Sequence, residues 1–217
     1  MVLSIVHPPL RFAAIVVGLA ALPALAQSPH AVAPPTPDVL QALAGSSLTI
    51  RGSTTVGKSW SCRAPNVLSR VAVAPPDHAG TRPEIPEIRG VMIHVPVSAL
   101  KCQNRLMERA MRQALRADRD TAAQHITGVF EIYDEVKPVD AREAHLAGAL
   151  SVAGAQRNVF LRAVIEPQAD ALYVRSVVPL TLSSFGIEPP RVLFGAVRAR
   201  DAVTVEVELK YPRHPDG

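Results

Sequence analysis

Ala202-Val203-Thr204-Val205-Glu206-Val207-Glu208-Leu209-Lys210-Tyr211 decides the fold class. Val203, Val205, Val207 and Leu209 point one way, and Thr204, Glu206, Glu208 and Lys210 point the other. Side chains alternate between the two faces of a strand, so this segment is a strand with one dry and one wet face. Residues 172–182 repeat the pattern, with Val174, Val178, Leu180 and Leu182 on one face. Residues 147–152 and 158–165 read as two strands joined by Ala153-Gly154-Ala155, where Gly154 suits a tight turn. Residues 124–133 form a strand with Ile126, Phe130 and Ile132 on one side. In 87–99 the matching set is Val91, Ile93, Val95 and Val97. A short strand covers 47–52, and Pro65-Asn66 predicts a hairpin between 57–64 and 67–73.

One segment breaks this rhythm. In 104–117 the apolar residues Leu106, Met107, Ala110, Met111, Ala114 and Leu115 recur at the helical period. Asn104 is a fitting N-cap, and Arg105, Glu108, Arg109, Arg112 and Arg116 occupy the opposite side. The pattern is that of an amphipathic helix packed on the domain. Many strands with one helix imply an all-β protein built on an antiparallel sheet. About eight strands either close into a barrel or split into a sandwich, and periodicity alone does not choose. Closure would remove the exposed edges that invite aggregation. It would leave a lumen for packed side chains or one small ligand.

The N-terminus reads as an export signal over residues 1–26. It has a start bearing Arg11, an apolar run from Phe12 to Leu22, and Ala24-Leu25-Ala26 as a small-x-small cleavage site. The run is shorter than the roughly 20 apolar residues of a membrane span, and no later segment is long and apolar enough for one. A Pro-rich leader is expected over 27–45, with at most one helical turn near its end. The barrel or sandwich domain would occupy 46–212, and 213–217 a tail. The even cysteine count in an exported chain points to a Cys62–Cys102 disulfide, with two separate buried thiols as the alternative. Closing that loop would contribute about 4 kcal/mol in the chain-entropy model.

Composition narrows the function. Hydrophobic residues make up 48% of the chain, enough for a core, but aromatics only 4%, and the net charge of +4 is scattered. A nucleic-acid surface needs a basic stripe with stacking aromatics, so that class is excluded. There is no Gly-x-Ser-x-Gly elbow and no zinc-binding motif, and neither catalytic residues, metal nor cofactor are expected. His94 and His125 fall within strands. Glu131, Asp134, Glu135 and Asp140 cluster near a strand end and read as a solvated loop, while Arg162 and Arg175 read as water-facing strand residues.

Three stretches resemble the YceI-like family of exported proteins. They are Gly52-Ser53-Thr54-Thr55-Val56-Gly57-Lys58-Ser59-Trp60-Ser61-Cys62, then Leu146-Ala147-Gly148-Ala149-Leu150-Ser151-Val152-Ala153-Gly154 leading into Val159-Phe160-Leu161, and Leu180-Thr181-Leu182-Ser183-Ser184-Phe185-Gly186-Ile187-Glu188-Pro189-Pro190 with Gly195 and Asp201 beyond. The order matches from about Ser47 to Tyr211. The resemblance implies an antiparallel, lipocalin-like β-barrel of about eight strands with the helix packed on it. It also implies a periplasmic or secreted binder of a long apolar molecule, a polyisoprenoid or other lipid, held in the lumen. Candidate lumen residues are Trp60, Val91, Ile93, Val95, Phe130, Ile132, Phe160, Val178, Leu180, Phe185, Val205 and Val207. Two other readings stand beside this one: an envelope enzyme acting on a small apolar substrate, and a structural or stress-response protein with a filled barrel. Association into a homodimer is left open.

Overall fold

The structure, a computed structural model, describes residues 38–65, 67–75, 85–115, 128–132, 137–138 and 142–213, with backbone only at 128–132 and 137–138. The expected export signal, most of the leader, His125, Asp134, Glu135 and Asp140 lie outside the described residues. The strands are β1 (Asp38–Gln41), β2 (Ser47–Thr54), β3 (Ser59–Pro65), β4 (Leu68–Val73), β5 (Ile88–Val95) and β6 (Lys101–Cys102). Helix α1 (Arg105–Ala114) follows. Then come β7 (Gly128–Ile132), β8 (Lys137–Pro138), β9 (Glu143–Val152), β10 (Ala155–Pro167), β11 (Ala171–Thr181), β12 (Arg191–Val192) and β13 (Val197–Pro212).

All pairings are antiparallel, in the order β1-β4-β5-β7-β9-β10-β11-β13-β2-β3-β6, with β8 on β9 and β12 on β13. The expected hairpin of β3 with β4 does not form. β3 pairs with β2 and β6, whereas β4 pairs with β1 and β5. Val67, between them, is buried at 3% exposure, so the chain bends through the core there and does not reverse at the surface. That bend ties the two ends of the strand order together. With β3 and β4 counted as one bent strand, eight strands circle an antiparallel, lipocalin-like barrel.

The closure has its own polar clasp. Ser69 Oγ on β4 donates to the Met92 carbonyl at 2.9 Å and lies 2.6 Å from the Tyr211 hydroxyl of β13. Because the serine proton is committed to Met92, Tyr211 is the donor to Ser69. Leu43 N–H adds a 2.7 Å bond to the Lys210 carbonyl. β1 arises where the end of the leader was expected. It joins the sheet because Leu40, 2% exposed, enters the core while its backbone completes the edge of β4.

The β13 alternation holds. Val203, Leu209 and Tyr211 are buried, and on the outer side Glu206 and Glu208 meet Arg51 and Arg175 in exposed ion pairs. The β9–β10 hairpin turns at Ala153 (φ 51°) and Gly154 (φ 84°), a backbone whose twist matches that of the flanking strands. Two apolar clusters fill the inside. One, with Leu40, Val71, Val73, Ile165, Leu172 and Tyr211, packs one end. The other, with Trp60, Cys62, Leu100, Met107, Met111 and Phe185, lies toward the end covered by α1.

Candidate functional site

The second cluster leaves space. A partly enclosed cavity between the strands and α1 offers about 140 Å³ to the centre of a water molecule, about ten times what a single water needs. Its wall comes from β2 (Leu48, Ile50), β5 (Ile93, Val95), β9 (Leu150, Val152), β10 (Val159, Leu161), β11 (Val178, Leu180) and β13 (Val203, Val205, Val207). Its cover comes from Val97, Leu100, Met111 and Leu115, with Leu182, Phe185 and Ile187 from the turn after β11. Among these described residues Thr181 alone carries a polar side chain. Water in such a cavity finds almost no hydrogen-bond partners, whereas an apolar group there loses nothing.

Local sequence explains how the cover is held. Asn104 caps α1, its Oδ1 accepting from Leu106 N–H at 2.7 Å. Met107 and Met111 on the inner face are buried, while Arg105 and Arg109 lie outside. The disulfide Cys62–Cys102 joins β3 to β6 directly before the helix, and the two cysteines face each other in register. Glu108 reaches back from α1 to accept the Cys102 N–H at 3.1 Å. That bond holds its carboxyl below the ordinary glutamate value against the opposing effect of burial, with Arg112 and Lys101 adding attraction. Arg112 also donates to the carbonyls of Ser98 and Leu100, each at 3.0 Å.

The Leu180–Pro190 stretch forms the rest of the rim. After β11 a short 3-10 turn, Leu182–Phe185, buries Leu182 and Phe185. Asp201 clamps it, accepting from Ser183 N–H at 2.8 Å and from the Ser183 hydroxyl. Those bonds lower the Asp201 pKa. Trp60 packs beside the cavity and does not line it. Its ring lies where a Cβ at residue 52 would sit, which requires Gly52, and its indole N–H donates to the Ser53 carbonyl at 3.2 Å.

The wall has a seam. β9 and β10 pair from Ala155↔Val152 through Val164↔Glu143. β10 and β11 pair only from Ala163↔Ser176 to Pro167↔Leu172. Toward the helix end, 155–162 and 177–181 have no ladder between them. Pro179 stands in this part of β11; proline lacks the N–H a two-sided ladder needs and is confined to unpaired edges.

Of the candidate lumen residues, Ile93, Val95, Val178, Leu180, Phe185, Val205 and Val207 surround the cavity. Val91 packs on the filled end, and Trp60 lies beside the cavity. Phe130 and Ile132 belong to β7, Phe130 in register between Ile93 and Leu150; their side chains lie outside the described residues. Phe160 faces outward, 85% exposed, because in β10 it is Val159 and Leu161 that turn inward. Arg162 and Arg175 pair on the outer surface with Glu143 and Glu208. His94 is half-buried between cavity-lining neighbours, with no hydrogen-bond partner for Nε2 among the described residues. Among the described residues no three His, Cys, Asp or Glu side chains come together as a metal site, and no helix is long and apolar enough to cross a membrane.

No protein-family model matches the chain, and no curated protein matches it. Solved structures do. BcnA of Burkholderia cenocepacia superposes with a TM-score of 0.54 at 14% identity, over 76% of this chain and 94% of its own. A polyisoprenoid-binding domain from Saccharophagus degradans, implicated in plant cell wall breakdown, gives 0.55 at 12% identity, over 81% and 98%. The YceI protein of Campylobacter jejuni gives 0.50 at 13% identity, over 68% and 81%. At these identities the likeness speaks for the fold: this chain has the YceI-like fold.

Proposed function

We propose that this chain is an exported, non-catalytic binder and carrier of a long apolar molecule, a polyisoprenoid or another lipid, held in the lumen under α1. The observation that carries the reading is the cavity itself, a hollow walled by aliphatic side chains from six strands with a single polar lining residue among the described residues. Pockets of this kind bind by burying apolar surface and use few polar groups for orientation. The Saccharophagus domain that shares the fold is described as polyisoprenoid-binding, which supports the same ligand class here. The Cys62–Cys102 disulfide fits a periplasmic or extracellular setting, and the signal-like residues 1–26 support export. Outside the membrane a long apolar chain has no stable aqueous form, so a barrel that shields it lets it cross water.

The test is extraction of the mature protein, purified from its native compartment, followed by mass spectrometry of the organic phase. A long-chain apolar compound in near-equal molar amount is expected. Protein that yields no such compound, and takes none up when offered prenols of several lengths, would refute the reading.

A further inference from the structure

The β12–β13 hairpin ends in two bulky apolar residues that stand out into water. The strands pair at Arg191↔Arg198 and Val192↔Val197, and the loop between them is Leu193-Phe194-Gly195-Ala196. Gly195 N–H bonds to the Val192 carbonyl at 3.2 Å, closing a turn whose central residues are Leu193 (φ 53°) and Phe194 (φ 55°). Both lie in the left-handed region, where such a turn favours Asn, Asp or Gly and where a bulky side chain is an outlier. Their bulk serves no packing in return. Leu193 is 56% exposed and Phe194 wholly so. Local strain of this kind persists at binding sites more often than elsewhere.

The neighbouring hairpin adds to this tip. Thr54 of β2 faces Ala199 of β13, and Thr55 N–H donates to the Arg198 carbonyl at 2.8 Å. The β2–β3 turn therefore lies alongside the Leu193–Ala196 loop, and its Val56 is 58% exposed. Lys58 in one turn and Arg191, Arg198 and Arg200 beside the other are all exposed. Against these four cations, residues 54–60 and 188–201 carry two carboxylates, Glu188 and Asp201. Glu188 pairs with Arg191 at 2.6 Å, and Asp201 is held by Ser183, so the surface around the tips is left positive. Val192, at the base of the loop, packs against the apolar cluster toward α1, which places the tips at the hollow end of the barrel.

We propose that Leu193, Phe194 and Val56 dock this end of the barrel onto an anionic lipid bilayer, with Lys58 and Arg198 against the phosphates. Projecting tips suit a bilayer better than a protein partner. Three side chains fall far short of the roughly 800 Å² per side that a stable protein interface covers. Each apolar side chain that enters the acyl boundary instead contributes by itself, and anionic head groups attract the cations around it. Docking sets the hollow end against a reservoir of long apolar molecules. That purpose rests on the apolar-ligand reading; the docking itself does not.

The parent, a Leu193→Asn/Phe194→Gly variant and a Lys58→Gln/Arg198→Gln variant are sedimented with vesicles of phosphatidylcholine alone and of equimolar phosphatidylcholine and phosphatidylglycerol. Thermal melts, solution mass and uptake of a prenol from detergent micelles are measured on the same proteins. The parent should bind the anionic vesicles and leave the neutral ones. The turn variant should bind them about tenfold or more weakly, having lost two apolar side chains. It should melt no lower, because Asn-Gly is the preferred pair for this turn. The charge variant should bind about fivefold more weakly for each cation removed. Both variants should take up prenol from micelles as the parent does. A parent that stays in the supernatant with anionic vesicles, or a turn variant that binds them as the parent does, overturns the docking and leaves the apolar-ligand reading standing. So does a turn variant that melts lower, which makes the pair structural, or a parent dimer that the turn variant breaks, which gives the tips to a protein interface. Failure of all three proteins to take up prenol overturns the apolar-ligand reading and leaves the docking standing.

Discussion

Tyr211 shows how one residue records the closure of the barrel. It is the next-to-last residue of β13, is 3% exposed, and donates to Ser69 across the point where the strand order joins. Burial raises its phenol pKa from 10.0 to about 12. A raised folded-state pKa means that the folded protein holds the proton more tightly than the unfolded chain. The associated stability is therefore complete below pH 10 and is lost as the pH rises toward 12. The loss has an upper bound of about 2 to 3 kcal/mol for a shift of this size. Denaturant melts of the parent and of Tyr211→Phe between pH 8 and 12 (on the order of one unit apart) should show the parent's excess alkaline destabilisation vanish in the variant. Identical pH profiles would show that the phenol is not buried as described. Phe160 carries a different lesson at the same scale. Residues 158–165 place apolar side chains on both parities, and aromatic bulk favours Phe160 as a lumen residue. Arg162 shares its parity, however, and burying a guanidinium in an aliphatic wall would strip its charge of water at great cost. The charge, and not the aromatic ring, marks the outer face.

Among the elements, α1 and its tether act as one cover. Met111 and Leu115 lie over the cavity, and the Cys62–Cys102 bond fixes the strand from which the helix starts. The bond closes a loop with a sequence separation of 40. Replacing both cysteines by alanine should lower stability by about 2 to 4 kcal/mol. Hydrogen exchange should quicken first in α1 and β6, while β10 and β11 keep their protection where they pair. A melt within about 0.5 kcal/mol of the parent, the range of an ordinary surface change, would show that the tether does not stabilise the cover. The helix was legible because Met107, Met111 and Leu115 recur at helical spacing behind a good N-cap. The separation of β3 from β4 was not. Pro65-Asn66 is turn chemistry in either arrangement, and only the burial of Val67 distinguishes a bend through the core from a surface reversal. The seam had one sequence signal, Pro179 inside an otherwise regular strand pattern.

At the scale of the whole molecule, the barrel is divided along its axis. One end is packed by Val71, Val73, Ile165, Leu172 and Leu209, and the other is hollow beneath α1. Strand alternation fixes which side chains point inward and so made Ile93, Val95, Val178, Leu180, Val205 and Val207 readable as lumen residues. It does not fix how far along the axis the packing extends, which depends on side-chain volumes summed around each row. That is why Val91, on the same face as Ile93, falls in the filled end. The division makes the central claim measurable in a single protein. Methyl groups of isoleucine, leucine and valine are labelled, and their spectrum is followed as a long-chain prenol is added. Shifts are expected at Ile93, Val178, Leu180 and Val205, with Val73, Leu172 and Leu209 unmoved. A spectrum that does not change, or that changes only at outward residues such as Val177 and Leu68, would contradict a ligand held in the lumen.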